Sequence, residues 1–235
     1  MPSWPSPTRP LSCAAGCRSV QPVMTGYAKI ERQQLADLLL AVGPDVSTVC
    51  TGWTARDLAA HLVVRERRPG AMAGVVIPRL AERGERIRLA KAAQAYEEIV
   101  AEVRNPPWWS PISNPLTDEL VNTLEFFIHH EDVRRAQPQW APRVLPEGER
   151  AALWKGARMT ARRGLRKLRV PMLVRSPGFA DLAVGTSQTQ PPRAVLRGEP
   201  GEIALFVSGR QRVARVEIEG HEDTADLIRR AKLGL

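Results

Sequence analysis

The run Val121-Asn-Thr-Leu-Glu-Phe-Phe-Ile-His-His-Glu-Asp-Val-Arg-Arg-Ala136 constrains this chain more than any other segment. Wound as a helix, it places Leu120, Leu124 and Ile128 in one apolar stripe, with Glu125, His129 and Asp132 along its flank. Such a helix packs its stripe against other elements and holds the polar row at the edge of the core. Glu125 and His129 are four residues apart, which brings their Cβ atoms to about 5–6 Å. A carboxylate and an imidazole so placed can bind one ion, or can simply form a solvated contact along the helix face. A half-buried carboxylate needs a partner, and a metal ion is one. His130 points about 100° away from His129 and is not expected to share that ion.

A further ligand is available upstream. The chain has four histidines, and His61 lies in Gly52-Trp-Thr-Ala-Arg-Asp-Leu-Ala-Ala-His61-Leu. Thr54 and Asp57 form a capping-box pattern, so a helix opens there and carries Leu58, His61 and Leu62 until Pro69-Gly70. Another helix is expected over Ile30 to Val42, ending at Gly43-Pro44, and a third over Arg86 to Val103. Asn114-Pro-Leu-Thr117-Asp118 caps the helix that holds Glu125 and His129. Four helices around one polar constellation predict a bundle with a metal in its core.

The second half reads differently. Pro146 to Lys167 is expected to be a basic helix, followed by short strands over Leu168–Arg175, Asp181–Val184, Ala194–Arg197 and Val213–Ile218. Helices are expected at Gly201 to Arg210 and Thr224 to Leu233. The fold class is therefore α followed by α+β, with a helical bundle over 24–140 and a small α+β domain over 141–235. Pro138, Pro142 and Pro146 mark the boundary. Residues 1–23, rich in proline and without apolar periodicity, are expected to be a disordered or spurious extension, with Met24 as the native start.

Composition excludes several classes. No apolar run approaches the roughly 18 residues that a membrane span needs. The N-terminal segment lacks the apolar region of a signal peptide. Cys13, Cys17 and Cys50 make neither a disulfide framework nor a zinc knuckle, which suits a cytoplasmic location. Residues 141–235 carry 18 basic and 10 acidic side chains, or +8 of the net +9. The basic run from Lys155 to Arg175 lacks interleaved aromatics beyond Trp154 and carries no nucleic-acid motif, so a solvated helix face is the simpler reading, and an anionic small molecule or thiol cofactor is compatible. No Ser–His–Asp arrangement, phosphate-binding loop or dinucleotide fingerprint is present. His221 is expected in an exposed turn, Trp53 at a helix start as a core residue, and Trp108 and Trp109 at a cleft mouth.

Gly52-Trp-Thr-x-x-Asp-Leu-x-x-His61, followed by Glu125-x-x-x-His129, resembles the metal-binding domain of mycothiol-dependent maleylpyruvate isomerases. That domain belongs to the DinB-like four-helix bundle superfamily. Arg65-Glu-Arg-Arg-Pro69, Trp109-Ser-Pro111 and the run Glu125 to Pro138 resemble a subfamily without an assigned reaction. The resemblance spans about residues 27–235. It implies that His61, Glu125 and His129 are metal ligands, that the ion is zinc, and that a sterol-carrier-like α+β domain follows, carried by Gly198 to Arg210. The second domain is short for that family, and the isomerase's substrate-binding arginines do not map onto it.

Three protein ligands leave a zinc ion one open position. The expected function is a mycothiol-dependent isomerase or S-transferase acting on a small electrophile, with a low-molecular-weight thiol as partner. Asp132 is expected either to orient a ligand histidine or to pair with Arg135 or Arg65, and Arg65 to hold a substrate carboxylate. The alternatives are a metal-dependent hydrolase, or a non-enzymatic metal protein whose basic second domain binds a ligand or nucleic acid.

Overall fold

The computed structural model describes residues 26–68, 81–109, 115–187 and 189–234, and only the backbone of 115–120. The expectations for residues 1–23, Pro69-Gly70, Ser110-Pro111, Asn114 and the side chains of Leu120, Thr117 and Asp118 lie outside the described residues.

The first half is helical. Helix α1 (Tyr27–Val42) ends at Gly43, whose φ of 82° is open to glycine and strained for other residues. Helix α2 (Ala55–Arg67) opens on the expected capping box: the Thr54 N–H donates to Asp57 Oδ2 at 2.9 Å, and the Asp57 N–H returns to the Thr54 hydroxyl at 3.4 Å. The helix expected over Arg86 to Val103 is instead two, α3 (Ala81–Ala92) and α4 (Tyr96–Arg104). Arg56 of α2 explains the break, because its guanidinium donates to the carbonyls of Ala92 and Gln94 at 3.1 and 2.8 Å. Those bonds satisfy acceptors that a continuous helix would have used itself.

Helix α5 (Pro115–Arg134) runs through the middle of the molecule. Phe126 and Val133 join Leu35, Leu39, Leu58 and Ile99 in the core of the first half. Phe127 and Ile128 pack on the other side against Leu153 and Leu205. The helix is thus buried on two faces, and not only along the stripe that periodicity predicts.

The second half is α+β. Helix α6 (Glu147–Leu165) continues as a 3-10 turn over Arg166–Leu168 and stops at Arg169, whose φ is 54°. Strand β1 is therefore shorter than expected, Met172–Arg175. With β2 (Leu182–Val184), β3 (Ala194–Arg197) and β4 (Glu217–Gly220) it forms a mixed sheet of order β2-β1-β3-β4, in which only β1 and β3 are parallel. Met172, Val174, Ala194 and Leu196 alternate inward and join Trp154, Ala157 and Ala161 of α6 in one core. Helix α7 (Pro200–Val207) joins β3 towards β4, and α8 (Glu222–Arg229) closes the fold.

The strand expected at Val213–Ile218 begins later, at Glu217, because residues 210–214 form a turn. Arg135 fixes that turn by donating to the Val213 carbonyl at 2.7 Å. The basic side chains Lys155, Arg162, Arg163, Arg166, Lys167 and Arg169 are exposed, as expected of a solvated face. No helix among the described residues is long and apolar enough to cross a membrane.

Candidate metal centre

The capped start of α2 fixes its phase, and that phase turns His61 and Arg65, one turn apart, toward α5. From α5, Glu125 and His129 meet them. Glu125 Oε1 lies 3.3 Å from His129 Nε2, 3.8 Å from His61 Nε2 and 3.3 Å from Arg65 Nε. The ligand atoms of His61, Glu125 and His129 all fall within 4.8 Å of one another. Tetrahedral zinc with N and O ligands at about 2.0–2.1 Å separates its ligand atoms by about 3.3–3.5 Å. The donor set matches that geometry with only small side-chain adjustment. His61 and Glu125 are partly exposed, so the cluster opens toward solvent on one side, while His129 is buried.

The rings are held from behind. Trp53 stands 5.1 Å from the His61 ring, and Arg88 lies over Trp53 at 4.9 Å while pairing with Asp57. Trp53 packs on the first-half core, as expected. His129 Nδ1 contacts Asp132 Oδ2 at 2.9 Å, on the side of the ring away from Glu125. Asp132 is therefore not a fourth donor on the Nε2 side.

Of the two roles expected for Asp132, the structure has the contact with His129, but its ion pair is with neither Arg135 nor Arg65. The guanidinium of Arg210 grips it with two bonds, Nε to Oδ1 at 3.0 Å and Nη2 to Oδ2 at 2.7 Å. Arg135 instead binds Glu131 and Glu202. Arg65 donates to Asn122 Oδ1 at 2.9 Å besides its contact with Glu125, and it is buried.

Two participants carried no recognised signal in the sequence. The Cys50 thiol lies 3.2 Å from Asp132 Oδ2 and 3.4 Å from Arg210 Nη2. Its position just before the Gly52-Trp53-Thr54 turn was the available clue, since that turn starts the helix of His61. Arg210 follows α7 and reaches a partner 78 residues away. The remaining candidates fall elsewhere: His221 is exposed at the start of α8, and Trp108 and Trp109 are exposed.

Electrostatics follow from the contacts. Burial lowers the pKa of His61, and the neighbouring His129 and Arg65 add to this against the pull of Glu125, so the imidazole is neutral and able to ligate. Burial would raise the Glu125 carboxyl, but hydrogen bonds from His129 and His61 and the charges of His129 and Arg65 hold it well below the usual range. For His129, burial is outweighed by Asp132, Cys50 and Glu125, and its pKa rises well above the ordinary value. Asp132 is likewise held low, because His129 and Arg210 outweigh its burial. The carboxylates on either side of His129 favour its protonated form, and a divalent cation at Nε2 would compete with that proton.

Comparison with known protein families, curated proteins and solved structures gave no match.

Proposed function

We propose that the chain is a zinc-class metalloprotein in which His61, Glu125 and His129 hold the ion, and that it uses a low-molecular-weight thiol in isomerisation or S-transfer on a small electrophile. The observation that carries this reading is the convergence of His61, Glu125 and His129, whose ligand atoms lie within 4.8 Å of one another with His61 and Glu125 partly exposed. The resemblance of the two motifs to mycothiol-dependent maleylpyruvate isomerases favours mycothiol as the thiol. It does not carry the maleylpyruvate substrate with it.

A zinc ion with three protein ligands leaves a fourth position at which a thiol loses its proton near neutral pH. Around that position, the chain's own residues have distinct tasks. Asp132 accepts from His129 Nδ1–H and so directs the Nε2 lone pair toward the ion. Arg210 fixes Asp132 in turn. Arg65 steadies Glu125 and offers its remaining N–H groups to an anionic group of the substrate. Trp53 shields one face of His61 from water.

The test is metal content of the purified full chain, wild type against His61→Ala, Glu125→Ala and His129→Ala. It is joined to the visible spectrum of the cobalt-substituted chain with and without mycothiol. A cobalt spectrum without sulfur ligation that is lost in each variant, and is perturbed by the thiol in the wild type, supports the reading. Metal retained in all three variants overturns the ligand set. A spectrum indifferent to thiol overturns the thiol chemistry and moves the site to hydrolysis.

A further inference from the structure

His129 presents a second nitrogen, and it too faces ligand atoms. On the Nδ1 side stand Asp132 Oδ2 at 2.9 Å and, 3.2 Å beyond that oxygen, the sulfur of Cys50. The three ligand atoms lie within 4.8 Å of one another. They come from elements far apart in sequence, since Cys50 precedes α2 while His129 and Asp132 sit one turn apart on α5. The contact between thiol and carboxylate joins residues 82 positions apart.

We propose that Cys50, His129 and Asp132 form a second metal seat, for a thiophilic divalent cation, closed by Arg210 and opened when the ion displaces its guanidinium. The donor set is one sulfur, one imidazole nitrogen and one carboxylate oxygen, which suits zinc or cadmium and not magnesium or calcium. Such an ion, with sulfur at about 2.3 Å and nitrogen and oxygen near 2.0–2.2 Å, separates its ligand atoms by about 3.3–3.6 Å. The seat lies within that range after small adjustments.

Charge decides how the seat opens. In the ion-free chain Asp132 is neutralised by Arg210, whose guanidinium also reaches the sulfur. A dication bound by the same oxygen repels that guanidinium at close range, so the two occupy the seat in turn. Binding expels the thiol proton and the Nδ1 proton to solvent and leaves a thiolate, a carboxylate and a neutral imidazole around a doubly charged ion. It also frees Arg210 from α5. The two seats share His129 through its opposite ring nitrogens, so a neutral imidazole serves one of them at a time, and this seat needs neither His61 nor Glu125.

The experiment uses the full chain with Cys13→Ser and Cys17→Ser, so that Cys50 is its only thiol. Cadmium is titrated in, and the ultraviolet absorption of the cadmium–thiolate bond is followed. The expected result is a band that saturates at about one equivalent, persists in His61→Ala and Glu125→Ala, and disappears in Cys50→Ser. Arg210→Ala, or Arg210→Gln if the alanine variant does not fold, is expected to tighten cadmium binding by about tenfold, because the competing cation is gone. A residue with a merely supporting role would weaken it instead.

Absence of the band, its loss in His61→Ala, or weaker binding in the Arg210 variant overturns the proposal. Cadmium bound only by His61, Glu125 and His129 has no sulfur ligand and gives no such band. Failure of one seat is thereby told apart from failure of the other.

Discussion

Asp132 touches three functional groups at once: the Nδ1 of His129, the thiol of Cys50 and the guanidinium of Arg210. Its carboxylate is fully buried, so its worth lies in those partners and not in any contact with water. Replacing Asp132 with alanine is expected to lower zinc affinity about 10- to 100-fold without abolishing binding, because the Nε2-side ligands remain. A titration against a competing chelator measures this. Protonation of His129 sets a second expectation. Its pKa is raised in the folded chain, so it contributes stability in full below its ordinary value of 6.5, and that contribution fades as pH rises through the raised value. Zinc competes with this proton. The increase in melting temperature on adding zinc is therefore expected to be larger at pH 8 than at pH 6, and calorimetry at the two pH values decides it.

Helices α7 and α5 come close together at Gly201. A Cβ on Gly201 would lie 2.6 Å from Phe127 Cζ, so Gly201→Ala forces the ring or the helix to move. It is expected to cost about 1–3 kcal/mol in denaturant unfolding. Between α1 and α6, Glu31 and Glu149 form a buried acid pair. Burial and the neighbouring Glu31 push the Glu149 carboxyl up to about 8, while His130 and Arg143 overcome burial and hold Glu31 below the usual carboxylate range. Burial and the neighbouring acid therefore favour the protonated form of Glu149. Unfolded Glu149 ionises near 4.5, so its burial costs stability progressively as pH rises from there to about 8. Glu149→Gln is expected to raise the melting temperature at pH 8 and to change it little at pH 4, which a pair of thermal scans tests.

Sequence reasoning reached the elements whose causes are local. The Thr54–Asp57 capping box, the stop at Gly43 and the strand at Ala194–Arg197 each depend on residues a few positions apart. Helical spacing and a motif also pointed to His61, Glu125 and His129, whose ligand atoms the fold brings within 4.8 Å of one another. It missed the break between α3 and α4, whose cause is Arg56 on another helix, and the late start of β4, whose cause is Arg135 on α5. Arg210 belongs with these, since what makes it part of the site is a buried carboxylate on a distant helix.

Across the whole molecule, the two halves are joined by charge as well as by packing. Arg135 sits between Glu131 of its own helix and Glu202 of α7, with all three side chains buried. Arg212 of the second half donates to the Val49 carbonyl of the first at 2.5 Å. Phe127 and Ile128 of α5 share an apolar cluster with Leu153 and Leu205. The halves are accordingly expected to unfold in one calorimetric transition. Arg135→Ala leaves Glu131 to Arg134 and Arg143 and Glu202 to the Arg215 N–H, and is expected to cost about 1–3 kcal/mol without changing zinc stoichiometry.

The grip of Arg210 on Asp132 also bears on how such a chain can be recombined. A second half borrowed from elsewhere would have to bring a cation to Asp132 and an acid to Arg135, or leave Asp132 to His129 and Cys50 and Arg135 to Glu131 alone. The two halves are therefore a matched pair, and variation in one is constrained by the side chains of the other.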